Sequence, residues 1–281
     1  MSIHVLFYSI FAVMNKTRFW KWLKIGLLIY IVLGVSLYFL QDYFIFHPTR
    51  LPPDHKYAFE VPFSEIELSV ADDRNLSIVR FETSDSVKKG VVLYFHGNMK
   101  NITRYAKFAE SFTRNGYDVL MPDYPGFGKT TGKRKETIFY ADALTLYTIA
   151  IRDFPAEKII IYGKSIGTGI AAQLASIRDC KRLILETPYY NFPALCRKYF
   201  FIYPVSLGSK YSFPTSTFIK QIQVPITLLH GTSDGVIPYK HSTWLVEKKP
   251  GTGLITIKGG THNDLPDYPV FQHSIDSLLS N

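Results

Sequence analysis

Cysteine is nearly missing from this chain. Only Cys180 and Cys196 occur in 281 residues. A fold stapled by bridges needs a larger, evenly paired set, so no disulfide framework supports this one and both thiols are read as unpaired. No His, Cys, Asp and Glu cluster has metal-ligand spacing, and no metal is expected. The phosphate-loop pattern G-x-x-x-x-G-K-S/T is absent. Gly126-Phe-Gly128 follows a strand but lacks the rest of a dinucleotide fingerprint. Internal repeats are also missing. The formal net charge is +9, yet no stacking platform or reading motif accompanies it, which argues against nucleic acid as a partner. Lys129, Lys133, Arg134 and Lys135 form a basic loop that reads as solvated, with attraction for anionic headgroups as the rival reading.

Charge is wholly absent from Ile25 to Leu40. At about 1.5 Å per residue this run falls slightly short of a ~30 Å hydrocarbon core. Gln41 and the flanking aromatics Trp20, Trp22 and Tyr43 extend it. It is long for the apolar part of a signal peptide, and no small-x-small cleavage site precedes Asp42. Lys16, Arg18, Lys21 and Lys24 stand before the run and Asp42 after it. The positive-inside bias then puts the N-terminus in the cytoplasm and the rest of the chain on the far side of a bilayer. Residues 3–14 form another apolar stretch, too short to span, and Met14 heads a basic flank suited to a second start.

Against these absences stands Gly163-Lys164-Ser165-Ile166-Gly167, directly after the apolar run Lys158–Tyr162. A strand ending in G-x-S-x-G and opening into a helix makes a sharp turn that lifts the serine above the sheet edge. Gly163 and Gly167 remove the bulk that would keep the helix away. Ser165 is the candidate nucleophile. Such a serine needs an acid and then a histidine, each after a later strand. Pro225–His230 reads as a buried strand leading to Asp234, and Gly253–Lys258 as the next, leading to His262. A neutral imidazole takes the serine proton, and the carboxylate orients the ring and stabilises the imidazolium. Gly90–Phe95 reads as a strand ending in His96-Gly97-Asn98. The backbone N–H of Asn98, or less favourably of Met99, would face the oxyanion together with that of Ile166.

Each residue also has an ordinary reading. Ser165 and Asp234 are residue types common in turns. Glu186, at the end of Arg182–Pro188, is the rival acid. His96 and His230 sit at strand ends and read as loop supports. His241 and His273 fall in helical stretches and read as surface or packing residues.

Tyr94–Asn98, Asp123-Tyr-Pro-Gly-Phe-Gly128, the Ser165 elbow, Glu186–Pro188, His230–Asp234 and Gly259–His262 together resemble the α/β-hydrolase superfamily. The likeness is to its short-lid, often membrane-anchored branch, related to serine aminopeptidase/lysophospholipase-like hydrolases and to the α/β-hydrolase-domain depalmitoylases. It covers roughly residues 62 to 279. It implies hydrolysis of esters, thioesters or, less often, amides, without a metal or cofactor. Lys164, at the first variable elbow position, departs from the pattern by putting a cation near the site.

The periodicity agrees with an α/β fold. Strands are expected near 64–70, 75–83, 90–97, 117–123, 158–164, 182–187, 225–230 and 253–258. Helices are expected near 101–114, 136–152, 167–178, 239–248 and 269–279. The first two strands read as antiparallel and the rest as a parallel sheet covered on both faces, eight strands in all. The segment 189–223 breaks the alternation after the sixth strand. Its ten Tyr and Phe residues and three prolines suit a short aromatic lid over an acyl pocket, or else packed core. The expected organisation is a basic cytoplasmic N-terminus over 1–24, a transmembrane helix over 25–41, a linker over 42–61 and a hydrolase domain over 62–281. The expected activity is a membrane-anchored serine hydrolase of acyl esters or thioesters. The rival readings are a serine peptidase, an acyltransferase and a non-catalytic tethered binding protein. The expected partners are the lipid bilayer and the acyl substrate.

Overall fold

A computed structural model describes residues 16–280. The readings of residues 3–14 and of Met14 lie outside them. The chain divides into two units between Phe44 and Ile45. One helix, Lys16–Ile45, extends the expected apolar run in both directions. No residue of that helix is buried within the chain. A helix apolar on every side has no stripe with which to dock on a soluble core.

The second unit is built on an eight-stranded sheet in the order β10-β9-β8-β7-β4-β6-β3-β2. Its strands are β2 (Phe63–Ala71), β3 (Arg74–Phe81), β4 (Gly90–Phe95), β6 (Tyr117–Pro122), β7 (Ile159–Lys164), β8 (Arg182–Glu186), β9 (Ile226–Gly231) and β10 (Gly253–Ile257). β2 and β3 are antiparallel, β3 runs antiparallel to β6, and every other pairing is parallel. β4, β6, β7 and β9 are buried along their whole length, as strands covered on both faces must be.

The two-residue alternation divides the core. Val91, Leu93 and Phe95 of β4 join Ile159 and Ile161 of β7 on one face. There they meet Phe139 and Leu146 of the Glu136–Asp153 helix and Ile170 and Leu174 of the Gly167–Ile177 helix. Val92, Tyr94, Ile160 and Tyr162 turn to the other face, against Ile102, Phe112, Phe271 and Ile275. Each such fully buried side chain contributes roughly 1.5–3 kcal/mol by leaving water.

Three expectations change. The helix expected over 101–114 is three short pieces: Ile102–Tyr105, a 3-10 turn at Ala106–Phe108, and Glu110–Thr113. Asn101 caps the first by accepting the Thr103 N–H at 3.0 Å, and both Tyr105 and Phe112 are buried. The expected linker over 42–61 is not one. Residues 42–45 are helical, and the chain beyond is docked. Phe46 is buried against Phe139 and Tyr211. β1 (His47–Pro48) pairs in parallel with β5 (Met99–Lys100). Tyr57 and Phe59 pack toward Phe81. Apolar side chains at 46, 57 and 59 make this stretch part of the core, so the compact unit begins near Ile45 rather than at 62.

The insertion over 189–223 holds the helices Phe192–Cys196, Val205–Gly208 and Thr215–Phe218. Its aromatics split. Tyr189, Phe192, Tyr211 and Phe213 belong to the core, whereas Tyr199 and Phe201 are exposed. Much of its aromatic content is thus packing.

Candidate active site

Ser165 follows β7 in a left-handed conformation, φ 54°, which L-residues other than Asn and Asp seldom adopt outside sites where the surroundings enforce it. Two contacts enforce it here. A Cβ on Gly163 would lie 2.6 Å from the Gly167 carbonyl oxygen, and one on Gly167 would lie 2.1 Å from that of Phe95. Only glycine at both places lets the following helix approach this closely. The Ser165 N–H donates to the Glu186 carbonyl at 2.9 Å, tying the turn to the end of β8.

Asp234 and His262 come from the loops after β9 and β10. His262 Nε2 lies 2.9 Å from Ser165 Oγ, and His262 Nδ1 lies 2.8 Å from Asp234 Oδ2. The chain therefore brings its three candidate residues into one hydrogen-bonded line. Each is at least nine-tenths buried. With Nδ1–H donating to the carboxylate, Nε2 is left to accept the serine proton. Asp234 also fills its turn role, because its Oδ1 accepts the N–H groups of Val236 and Ile237, each at 2.8 Å. The two readings of this residue are compatible, one oxygen for each.

The amides of Asn98 and Ile166 donate none of the turn and loop hydrogen bonds among the described residues. Ile166 sits at the N-terminal end of the Gly167–Ile177 helix, where the dipole favours negative charge. Asn98 is held from both sides. Its carbonyl accepts the His47 N–H at 2.9 Å, and its side-chain amide donates to the Ile45 carbonyl. The Met99 amide is directed at the Tyr105 hydroxyl, 3.4 Å away, which leaves Asn98 the better placed of the two.

The serine aminopeptidase family model matches residues 86–204. Alpha/beta hydrolase domain-containing protein 17C of Xenopus tropicalis is 30% identical over 68% of this chain and 61% of its own length. The human protein of that name is 28% identical over 80% of this chain and 67% of its own. An esterase structure from Pyrococcus furiosus superposes with a TM-score of 0.65 at 18% identity, over 84% of this chain and 97% of that one. The chain has the α/β-hydrolase fold, and its sequence resembles that superfamily.

Within this fold, the rival acid has other work. Glu186 ion-pairs with Lys164 and accepts the Tyr162 hydroxyl at 2.5 Å, all three side chains being buried. Lys164 thus points into a salt bridge and not at the serine. Sequence reasoning also missed His230 as a support for the acid. Its Nε2 lies 2.9 Å from the Ile237 carbonyl and 3.3 Å from Asp234 Oδ2, while Nδ1 lies 2.6 Å from Ser242 Oγ. These contacts fit one tautomer, with Nε2–H donating and Nδ1 accepting. Burial pushes the Asp234 carboxyl up. The hydrogen bonds from His230, His262 and the Ile237 amide outweigh it and hold the group well below the usual carboxylate range.

His241 is buried and accepts the Tyr190 N–H at 3.2 Å. It lines a cavity of about 1000 Å³ between the 189–223 insertion and the Lys240–Lys248 helix. None of the residues flanking Ser165 or His262 lines that cavity. Both cysteines are free, and Cys180 is buried. Among the described residues, no group of three His, Cys, Asp or Glu side chains is placed to hold a metal ion.

Proposed function

We propose that this chain is a membrane-anchored serine hydrolase that cleaves ester or thioester bonds of acyl substrates. The observation that carries the reading is the unbroken line from Ser165 through His262 to Asp234, with the serine held at positive φ. Ser165 Oγ attacks the acyl carbonyl as its proton passes to His262 Nε2. The oxyanion meets the amides of Asn98 and Ile166. The tetrahedral intermediate collapses, the C–O or C–S bond breaks, and the imidazolium returns its proton to the leaving group. Water, deprotonated by the same imidazole, then releases the acid. Loss of one oxyanion donor costs on the order of 3 kcal/mol of transition-state stabilisation. The likeness to α/β-hydrolase-domain relatives supports a hydrolase, and Ser165 falls within the matched region.

The helix Lys16–Ile45, long, apolar and unburied, supports a single span, with its basic start in the cytoplasm and the hydrolase domain on the far side. Tethering raises encounters with lipidic substrates.

The test uses the detergent-solubilised full chain and a fluorophosphonate probe. Labelling is expected at Ser165. Ser165→Ala abolishes it, and His262→Ala slows it by on the order of a thousandfold or more. Folded protein that stays unlabelled in both detergent and liposomes would sink the reading.

A further inference from the structure

Outside the Lys16–Ile45 helix, few large apolar side chains among the described residues stand more than half exposed. They are Val87, Tyr199, Phe201, Ile202 and Leu207. All but Val87 fall within one short stretch of the 189–223 insertion, where Phe201 is 80% and Leu207 85% exposed. Apolar side chains scattered singly over a surface need no explanation, but a cluster marks a contact. The stretch is also not a loose loop. Amide bonds from Phe200 to Cys196, from Tyr203 to Phe200 and from Leu207 to Pro204 fold it into successive turns. Lys198 Nζ donates to the Gly235 carbonyl at 2.6 Å, and the Tyr199 hydroxyl donates to that of Val236 at 3.1 Å. Val236, itself exposed, is thereby joined to the cluster.

The charge around it has one sign. No Asp or Glu occurs between Glu186 and Asp234, whereas Arg197 and Lys198 precede the apolar residues and Lys210 follows them. All three cations are exposed. Glu247 lines a cavity together with Arg197 and Lys198 but ion-pairs with neither. Aromatic and aliphatic side chains rimmed by cations suit the boundary between acyl chains and anionic headgroups. A second copy of the chain suits it less. A two-fold contact sets the same patch against itself, so these cations would face one another with no acid of the insertion to match them.

The point where the chain enters the second unit is an independent observation. Phe46, the first residue beyond the helix, is buried with its ring centre 5.2 Å from that of Tyr211. At most ~14 Å of chain separates Tyr211 from Leu207. The chain thus enters against the root of the insertion. In a bilayer spanned by the helix, the charged Asp42 marks the membrane surface at this end.

We propose that the exposed tip of the insertion, Tyr199 to Leu207, docks into the membrane interface, with Arg197, Lys198 and Lys210 on anionic headgroups. The inference rests on the reading of Lys16–Ile45 as an anchor. It gives the anchored domain one fixed face toward the bilayer.

The experiment puts an environment-sensitive nitrobenzoxadiazole label on the full chain, reconstituted in phosphatidylcholine vesicles with about 30% phosphatidylglycerol. Leu207→Cys and, separately, Phe201→Cys carry the label, each with Cys196→Ser, while Cys180 is buried. Val87→Cys, exposed but outside the insertion, is the control. Val32→Cys reports on the helix. Emission at positions 201 and 207 should move to the blue. Lipids brominated along the acyl chain should quench it at least about threefold more than at position 87. Arg197→Gln with Lys198→Gln and Lys210→Gln should lower that quenching by about half or more, and equal quenching in this variant would overturn the role of the cations. Labels at 201 and 207 quenched no more than the one at 87 would overturn the docking. A blue shift without lipid quenching would do so too, because it assigns the face to a second copy or another protein. If the label at 32 is quenched and those at 201 and 207 are not, only the docking fails. If the label at 32 also escapes quenching, the anchor reading fails with it.

Discussion

Beside the elbow, a lysine and a glutamate are buried together where neither meets water. Lys164 and Glu186 are register partners across β7 and β8, and the carbonyl of Glu186 also takes the Ser165 N–H. A buried pair of this kind gives little net stability, but loss of one member strands the other charge. Lys164→Met should therefore destabilise the domain by about 3–5 kcal/mol. Lys164→Met combined with Glu186→Leu should recover much of that loss, although the Tyr162 hydroxyl then loses its acceptor. Urea unfolding of the three proteins checks this, and equal losses in the single and double variants would contradict it. Ser165, Asp234 and His262 were legible from sequence because each stands just past a strand, in an order that only certain folds turn into proximity. The Lys164–Glu186 pair was not legible. It depends on the β7–β8 register, and one residue of slip would send the two side chains to opposite faces. Lys164 could be seen as a cation near the site, but not as one already neutralised.

Among the elements, the sheet was the most readable part and the insertion the least. Continuous apolar runs such as Ile159–Tyr162 announce buried parallel strands. Aromatic residues carry no such label. Phe213 is fully buried and Phe201 is exposed, yet they look alike in a sequence of Tyr, Phe and Pro. The Lys240–Lys248 helix brings His241 under the start of the insertion. Burial, then the charges of Lys240 and Lys198, push this imidazole down to about 4 from an ordinary 6.5. The folded state thus prefers neutral His241 and the unfolded state takes up the proton first. Between pH 6.5 and 4 the unfolded chain binds more protons, so stability falls as the pH falls. The loss should be on the order of 2 kcal/mol across that window. Asp234, held low, adds its own loss only at more acid pH, below the ordinary carboxylate range. His241→Asn keeps an acceptor for the Tyr190 N–H and should flatten the slope. Denaturation midpoints at pH 4.5 and pH 7 decide, and an unchanged slope in the variant would assign the loss to other groups.

For the whole molecule, the decisive boundary lies near Ile45. The helix was visible as a run without charge, but the docking of residues 46–61 was not. Short strands such as His47–Pro48 have no periodicity to read, and Phe46, Tyr57 and Phe59 are too widely spaced to announce a core. A chain beginning at residue 46 should fold, bind the phosphonate at Ser165 and leave the membrane fraction. A chain beginning at residue 62 should lose several degrees in unfolding midpoint and label slowly, since Asn98 then lacks the His47 N–H at its carbonyl. Comparable midpoints and labelling rates in the two truncations would show that the docked segment is dispensable.

The β1–β5 pairing starts at His47, just past the end of the Lys16–Ile45 helix. A flexible leash would absorb a pull on the N-terminal helix before any enzyme atom moved. Here the first backbone hydrogen bonds met by such a load are those from His47 and Thr49 to the carbonyls of Asn98 and Lys100. If that helix anchors the chain as proposed, membrane tension or a partner tugging on it would be delivered to the loop that carries Asn98, the proposed oxyanion donor.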